Sequence, residues 1–484
     1  MTRLSEVNAD FGFSAAGCFP VLLFFTNLLA YSLTLLYILV VSCTMSSFVR
    51  ASKFRHVYAD QPRQDSKFEN IRLSTTTGEQ NYIKANPLYF AVGLQGGGGP
   101  FTIVNHDKPG KLEPSQPIVT GHSAAVLDFE FNPFHDQIIA SASEDQTVKV
   151  WGIPEGGLKE NMNDPLVDLH GHSRKVTLLR FNPTANNVLA SVSSDLSTKL
   201  WDIEKGVEMS SIGDAHDQLI QDIVWDYKGN NYATSSKDKH VRIFDARTST
   251  LSTKIETVHE GAKSIKMTYL GALDKMVTVG FTRQSQRQFK IWDPRNTSKE
   301  VKKVDIDQAA GVIMPFYDED TQILYLAGKG DGNVRYYEFV DDEPYAFPLA
   351  DFRSSVSAKG MAFVPKRGLD IMGCETARLL KLTSNTVEPL SFRVPRKSEA
   401  FQDDIFPNTF SGVPSHSADE WMGGSDKAPN TMSLNPADRG AGGQVKKEFV
   451  AAKSPAVLQA ELDTANARIA ELVARLEAAG LSTE

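Results

Sequence analysis

Three stretches of the chain superpose on one another: His122 to Trp151, His172 to Trp201 and His216 to Phe244 each run from a histidine through an apolar segment and a serine-rich segment to an aromatic residue. The first two open on Gly-His, contain Phe-Asn-Pro (Phe131–Pro133 and Phe181–Pro183) and close on Trp. The third opens on Ala215-His216 and closes on Phe244-Asp245. A unit this small cannot bury its own apolar face and must stack on its neighbours. A period of roughly 43 to 50 residues with four strand-length segments is that of one blade of a β-propeller.

Weaker copies extend the array in both directions. His259 to Trp292 is a longer copy, with Phe281 to Arg287 inserted where the turn aspartate should stand. Gly311 to Phe339, Met361 to Leu382 and, before the first Gly-His, Ile71 to Val104 supply three more, giving seven blades of the WD-repeat type in an all-β domain. Alternating residues at Phe48 to Tyr58 are expected to complete the last blade and remove the exposed sheet edge. The chain of 484 residues then divides into an apolar extension at 1–44, the propeller at 45–394, a packed extension at 395–421, a Gly/Ser/Pro-rich flexible linker at 422–453 and a helical segment at 454–481.

Inside the repeats a tetrad recurs at fixed spacing. Ser141, Asp145 and Trp151 match Ser191, Asp195 and Trp201, and then Thr234, Asp238 and Phe244, with the aspartate six residues before the aromatic. Joined by His122, His172 or His216 from the preceding loop, each set forms a hydrogen-bond chain across a blade that satisfies groups otherwise buried without partners. Ser, His and Asp together also suggest a hydrolase. A nucleophilic triad is needed once per active site, however, whereas this set is repeated once per blade, so no catalytic residue is assigned.

Hydrophobic content of 41% and charged content of 23% are those of a folded globular protein. Three scattered cysteines, Cys18, Cys43 and Cys374, offer neither a disulfide framework nor a metal site, and they point to a reducing compartment. The Gly96 to Gly99 run lacks the Gly-Lys-Ser/Thr of a phosphate loop, so no cofactor is expected. Charge is uneven: residues 398–444 carry seven acids against two bases, whereas residues 46–72 carry six bases against three acids. The basic segment, including Lys53, Arg55 and Arg72, suits an acidic partner, and no basic run with interleaved aromatics marks a nucleic-acid module.

The segment Met45-Ser-Ser-Phe-Val-Arg-Ala-Ser-Lys-Phe-Arg-His-Val-Tyr58 resembles the N-terminal signature of the coronin family, as does Phe68-Glu-Asn-Ile-Arg-Leu-Ser74. The inserted blade from Gly280 to Asp293, the stretch Phe401 to Pro407 and Ala418-Asp-Glu-Trp421 are also similar to coronins. The resemblance implies a seven-bladed propeller that binds filamentous actin, with a C-terminal coiled coil that oligomerises it and engages the actin-related-protein nucleation complex. It implies a cytoplasmic place in the cortical actin cytoskeleton and no enzymatic activity. By position, Arg72 is the filament-binding arginine of the family, with Lys53 and Arg55 of the same basic segment beside it. The rival expectation is a generic WD-repeat scaffold, an adaptor in trafficking or ubiquitination.

At the C-terminus Leu458, Leu462, Ala465, Ile469, Leu472, Leu476 and Ala479 alternate in steps of four and three, the seam of a coiled coil entered through Ser454-Pro455 and stopped by Gly480. About three heptads are marginal as a lone helix, so self-association is expected. Coronins often carry an Arg, apolar, two free positions, apolar, Glu pattern that specifies a trimer. Arg468, Ile469 and Leu472 match it, but Val473 stands in place of Glu, which leaves trimer and dimer both open. At the other end, Val21 to Cys43 is uncharged and long enough to cross a bilayer, with Arg50, Lys53 and Arg55 favouring a cytosolic propeller if it inserts. The coronin-like pattern begins at Met45, so residues 1–44 are either a membrane anchor or come from a wrong gene model or an alternative start, and are expected to be dispensable for the propeller and for actin binding.

Overall fold

The computed structural model describes residues 51–438 together with Phe449, Leu462, Thr464 and residues 466–470. The apolar extension at 1–44 and the seam residues Leu458, Leu472 and Leu476 lie outside the described residues. The unit that contains the blades begins at Lys53.

Seven sheets follow one another along the chain, antiparallel except where Phe68–Glu69 also pairs parallel with Gly110–Lys111. Blade one is built from Ile83–Ala85, Tyr89–Gly93 and Phe101–Asn105, with a single bridge from Phe101 to Val119 at its edge. Blade two comprises Val126–Phe131, Ile138–Ser143, Val148–Gly152 and Val167–Leu169; blade three, Val176–Phe181, Val188–Ser193, Thr198–Asp202 and Val207–Ile212. Blade four runs from Ile220–Trp225 through Asn231–Ser236 and Val241–Asp245 to Thr250–Ile255. Blades five and six start at Lys266–Tyr269 and Ile313–Asp318 and end at Lys302–Asp307 and Ala346–Phe352. The second strand of blades two and three is buried at every position, because each blade is packed on both faces. Alternating Ala and Ser let these sheets approach closely, while Trp151 and Trp201 fill the wider gaps.

Blade seven closes the ring, though not with the expected strand. Its own strands are Gly360–Val364, Glu375–Leu382 and Thr386–Arg393, and the fourth is Phe68–Glu69, paired antiparallel with Val387 and Thr386. From the Phe48 to Tyr58 stretch, Tyr58 alone among the described residues enters the sheet, opposite Arg393, while residues 53–56 form a turn. Phe54 and Val57 are instead buried against Tyr336, Phe392 and Ile405. The apolar residues at 54 and 57 therefore pack on the propeller rim instead of pairing as a strand.

The neighbouring blades are also tied through their inner strands. A register shift after Val126 turns Asp128 so that its carboxylate accepts the Leu179 N–H of blade three at 3.0 Å, and the same shift after Ile220 lets Asp222 accept from Met267 N–H of blade five at 2.9 Å. Arg180 lies between these acids, 3.6 Å from Asp128 and 3.5 Å from Asp222.

The chain beyond blade seven departs from the expected linker boundary. Thr409–Phe410 pairs with Thr431–Met432, and Leu434 is 1% exposed in the cluster that holds Val57, Ile405 and Phe406. Residues 422–438 are thus docked on the propeller. Their anchors are single residues without periodicity, which is why the Gly/Ser/Pro-rich composition reads as a tether. The acidic balance of this arm is used in docking: Asp426 meets Lys228 at 3.1 Å and Asn230 Nδ2 at 2.9 Å, and Asp419 meets Lys205 at 2.5 Å. The short helix Ala418–Met422 starts in a capping box between Ser417 and Glu420. It buries Trp421, whose indole N–H donates to Gly229 O at 3.0 Å under the Arg247 guanidinium.

Candidate functional site

The repeated tetrads, complete in blades two and three and partial in blades four and five, mark the same end of each of these blades. In blade two Trp151 Nε1 donates to Ser141 Oγ at 2.8 Å, His122 Nε2 lies 2.8 Å from the same oxygen, and His122 Nδ1 lies 2.8 Å from Asp145. Blade three repeats this with Trp201, Ser191, His172 and Asp195 at 2.8, 2.7 and 3.0 Å. A single proton order fits: indole N–H to serine, serine O–H to Nε2, Nδ1–H to carboxylate. Burial works against the Asp195 carboxylate, but donors from Ser197, Ser173 and His172 hold it down at about 2, and Asp145 is likewise kept below the usual range by His122 and Thr147. Ser141 and Ser191 are 0% exposed beneath their histidine and tryptophan, which is the position of a strut rather than of a nucleophile. Replacing Ser191 by Ala strands the Trp201 N–H and His172 Nε2, each at about 1–3 kcal/mol. The thermal midpoint is expected to fall clearly further than for Thr234→Val in blade four.

Blade four carries an incomplete version. His216 Nε2 lies 3.1 Å from Thr234 Oγ1, but Phe244 has no N–H to give, and Asp238 turns to Arg242 at 2.7 Å instead of to the histidine. His216 Nδ1 has no hydrogen-bond partner, and burial together with the Arg242 charge lowers its pKa to about 4. The expected Asp238–His216 contact is therefore absent, because an arginine four residues on competes for the carboxylate. Blade five, lacking the aspartate, keeps the rest: Trp292 Nε1 donates to Thr278 Oγ1 at 2.9 Å, His259 Nε2 is 3.0 Å from that oxygen, and the Gln288 amide reaches His259 Nδ1 at 3.0 Å. Burial and the Lys290 charge push His259 down to about 3. A glutamine at the edge of the insertion thus replaces the missing acid, a substitution hidden from a search for aspartate at the repeat spacing.

The tetrad end defines the upper face of the disc, formed by the turns between second and third strands, and Arg72 lies on it. Ile71 N–H donates to Asn385 O in that turn of blade seven at 3.0 Å, and Arg72 O accepts from Gln95 N–H in that turn of blade one at 2.8 Å. The Arg72 side chain is exposed and makes no hydrogen bond or ion pair among the described residues. Lys237 and Arg174, also exposed on this face, are likewise unpaired among the described residues.

Lys53 and Arg55 are elsewhere. Lys53 Nζ donates to Asp404 O at 2.9 Å, and Tyr58, just beyond, pairs with Arg393 at the lower end of the strand whose upper end, Thr386, adjoins Asn385. Eight residues of strand, about 23 Å at ~3.3 Å per residue, separate the two ends. The three residues grouped by charge and proximity in sequence therefore do not form one patch, because the chain crosses the disc between Tyr58 and Glu69.

A profile for a WD domain, G-beta repeat, matches residues 115–152, 163–202 and 208–245, a profile for a type of WD40 repeat matches 387–429, and a domain of unknown function, DUF1899, matches 47–111. With seven blades and complete His–Ser–Asp–Trp struts in blades two and three, the molecule is of the WD-repeat propeller class. Coronin-A of Dictyostelium discoideum is 48% identical over 414 residues, spanning 85% of this chain and 91% of that protein. The crystal structure of the WD40 domain of Toxoplasma gondii coronin superposes with a TM-score of 0.75 at 32% identity, covering 79% of this chain and 98% of that one. The chain belongs to the coronin family. A chain of a mitotic checkpoint complex, at 17% identity and a TM-score of 0.52 over 73% of this chain and all of that one, shares the fold alone.

Proposed function

We infer that the protein binds the side of actin filaments through its upper face, with Arg72 in the contact, and oligomerises through residues 454–481. The observation that carries this reading is the unpaired, exposed guanidinium of Arg72, held by backbone bonds between blades one and seven of a coronin propeller. Oligomers would present several propellers to one filament and bring in the actin-related-protein nucleation complex, giving avidity without new contacts. The protein works as a scaffold at the cytoplasmic cortical actin network, without catalysis, cofactor or nucleic acid, and meets a membrane only if residues 1–44 anchor it. Cosedimentation of the chain started at Met45 with actin filaments tests the reading. Retention in the supernatant at micromolar filament concentration would replace it with a WD-repeat adaptor.

Two described residues of the seam, Leu462 and Ile469, are one heptad apart in helical conformation and are 53% and 58% exposed, so they leave an apolar stripe for a partner helix. Replacing Ile469 and Leu472 by Asp places charge where a dry seam is required. The double variant is expected to be monomeric by light scattering, and an unchanged oligomer mass would place the contacts on the propeller.

A further inference from the structure

The lower face, opposite Arg72, contains a cavity of about 640 Å³. It lies over the loops that join first and second strands in blades four, five and six, and the C-terminal arm, at Pro407 to Phe410 and at Thr431, forms part of its wall. Small-molecule sites span roughly 300–1,000 Å³. Aromatic rings line it from five blades: Trp225 and Tyr227, Tyr269 and Tyr317, with Phe181 and Phe363 from blades three and seven.

The charged groups facing this space are strongly unbalanced. Blade four contributes Asp226, which is satisfied by the N–H groups of Asn230 and Asn231 and by the Asn231 side-chain amide. Blade six contributes Asp318, Glu319 and Asp320. Blade seven contributes Lys366, whose ammonium is engaged by Asp318 and by Thr376 O at 2.9 Å and stands 3.9 Å from Asp320. Arg180 at the inner end is already surrounded by Asp128, Glu130 and Asp222, and the arm residues in the wall carry no charge. Glu319 is exposed within this space and has no hydrogen bond or ion pair among the described residues. Poor solvation within the cavity and the Asp320 and Asp318 charges push its carboxyl up to about 7, and burial and Asp318 push Asp320 up to about 6. Burial raises the Tyr227 phenol, and the Glu319 and Asp320 charges add to the shift.

An unpaired carboxylate among aromatic walls complements a cation with an apolar body, because ring faces attract ammonium groups while methylenes take the remaining surface. A metal ion fits poorly: among the described residues no three His, Cys, Asp or Glu side chains converge as ligands. Asp226 on one side and Glu319 with Asp320 on the other offer two anionic stations with the Tyr269 loop between them. We propose that this cavity binds a small organic polyammonium ion, whose ammonium groups meet Glu319, Asp320 and Asp226 and whose methylene chain lies along the aromatic rings.

Calorimetric titration of the full-length protein with spermidine tests this. Saturable one-site binding is expected at pH 7.5, weakening by at least about tenfold in Glu319→Gln, which corresponds to about 1.4 kcal/mol. Binding is expected to weaken again as pH falls to 5.5, since protonation of Glu319 and Asp320 through about 7 and about 6 removes the charge that attracts the ligand. 1,8-Octanediol, which keeps the chain without the charges, should not bind. The Glu319→Gln protein should melt no lower than the parent, because the side chain it replaces has no partner, and should sediment with filaments unchanged, because the cavity faces away from Arg72. Absence of saturable heat, equal affinity of the Glu319→Gln protein, or displacement of spermidine by an equimolar magnesium salt would each overturn the proposal, the last by reducing it to counter-ion attraction.

Discussion

Arg72→Asp is expected to lower affinity for actin filaments by at least about tenfold, or about 1.4 kcal/mol, while leaving the melting temperature within about a degree of the parent. The side chain supports nothing else in the propeller, since the segment is held by Ile71 N–H on Asn385 O and by Arg72 O on Gln95 N–H, which the substitution retains. Reversal both removes an attraction and adds a repulsion, and the parent affinity should fall with added salt as expected for a solvent-accessible charge contact. Lys53→Asp and Arg55→Asp provide the internal comparison because they sit at the other end of the Thr386–Arg393 strand. If those two abolish cosedimentation and Arg72→Asp does not, the filament lies against the lower face.

The largest effect on stability is expected at Arg287. Its side chain is 0% exposed, and its guanidinium grips Asp307 with Nε and Nη2, each at 2.6 Å, while Nη2 also reaches Asp331 at 3.0 Å, joining blade five to the turn of blade six. Arg335 adds a second contact to Asp307 at 2.7 Å. Arg287→Met fills much of the volume but leaves two carboxylates sharing Arg335, so a loss of about 3–5 kcal/mol is expected. Thermal unfolding followed by circular dichroism measures it. Adding Asp307→Asn should recover part of the loss, because the penalty comes from the stranded charge rather than from the missing contact. A variant that melts with the parent would mean that water enters and solvates the pair.

Where the sequence repeats, the architecture was readable, because the strand pattern, the tetrads of blades two and three and the seven-fold count all follow from one period. What escaped was chemistry that substitutes one residue for another in the same role. Gln288 serves His259 where aspartate was sought, and Arg242 captures the Asp238 carboxylate that spacing assigned to His216. Short pairings were also hidden: Phe68–Glu69 is two residues long, too brief for alternation to register, yet it completes a blade. The local pattern around Arg72 singles it out as a proposed contact, but its separation from Lys53 and Arg55 was not legible, since charge along a chain carries no information about which face of a disc each residue reaches. The cavity gathers Trp225, Tyr269 and Glu319 from three blades and Thr409 from the arm, and no one-dimensional pattern connects them.

The pairing of Phe68–Glu69 with Val387 and Thr386 also sets a timetable for biosynthesis. The two halves of this joint are separated by roughly 320 residues, so at ~5–20 residues per second the ribosome needs on the order of 15 to 60 s after making the first half before the second emerges. Throughout that interval the earlier blades stand as an open arc with an unpaired terminal edge, the kind of surface that recruits foreign strands. The nascent chain is therefore most vulnerable to aggregation just before blade seven is complete. Truncation anywhere ahead of Thr386 should yield insoluble material even though most of the blades are present.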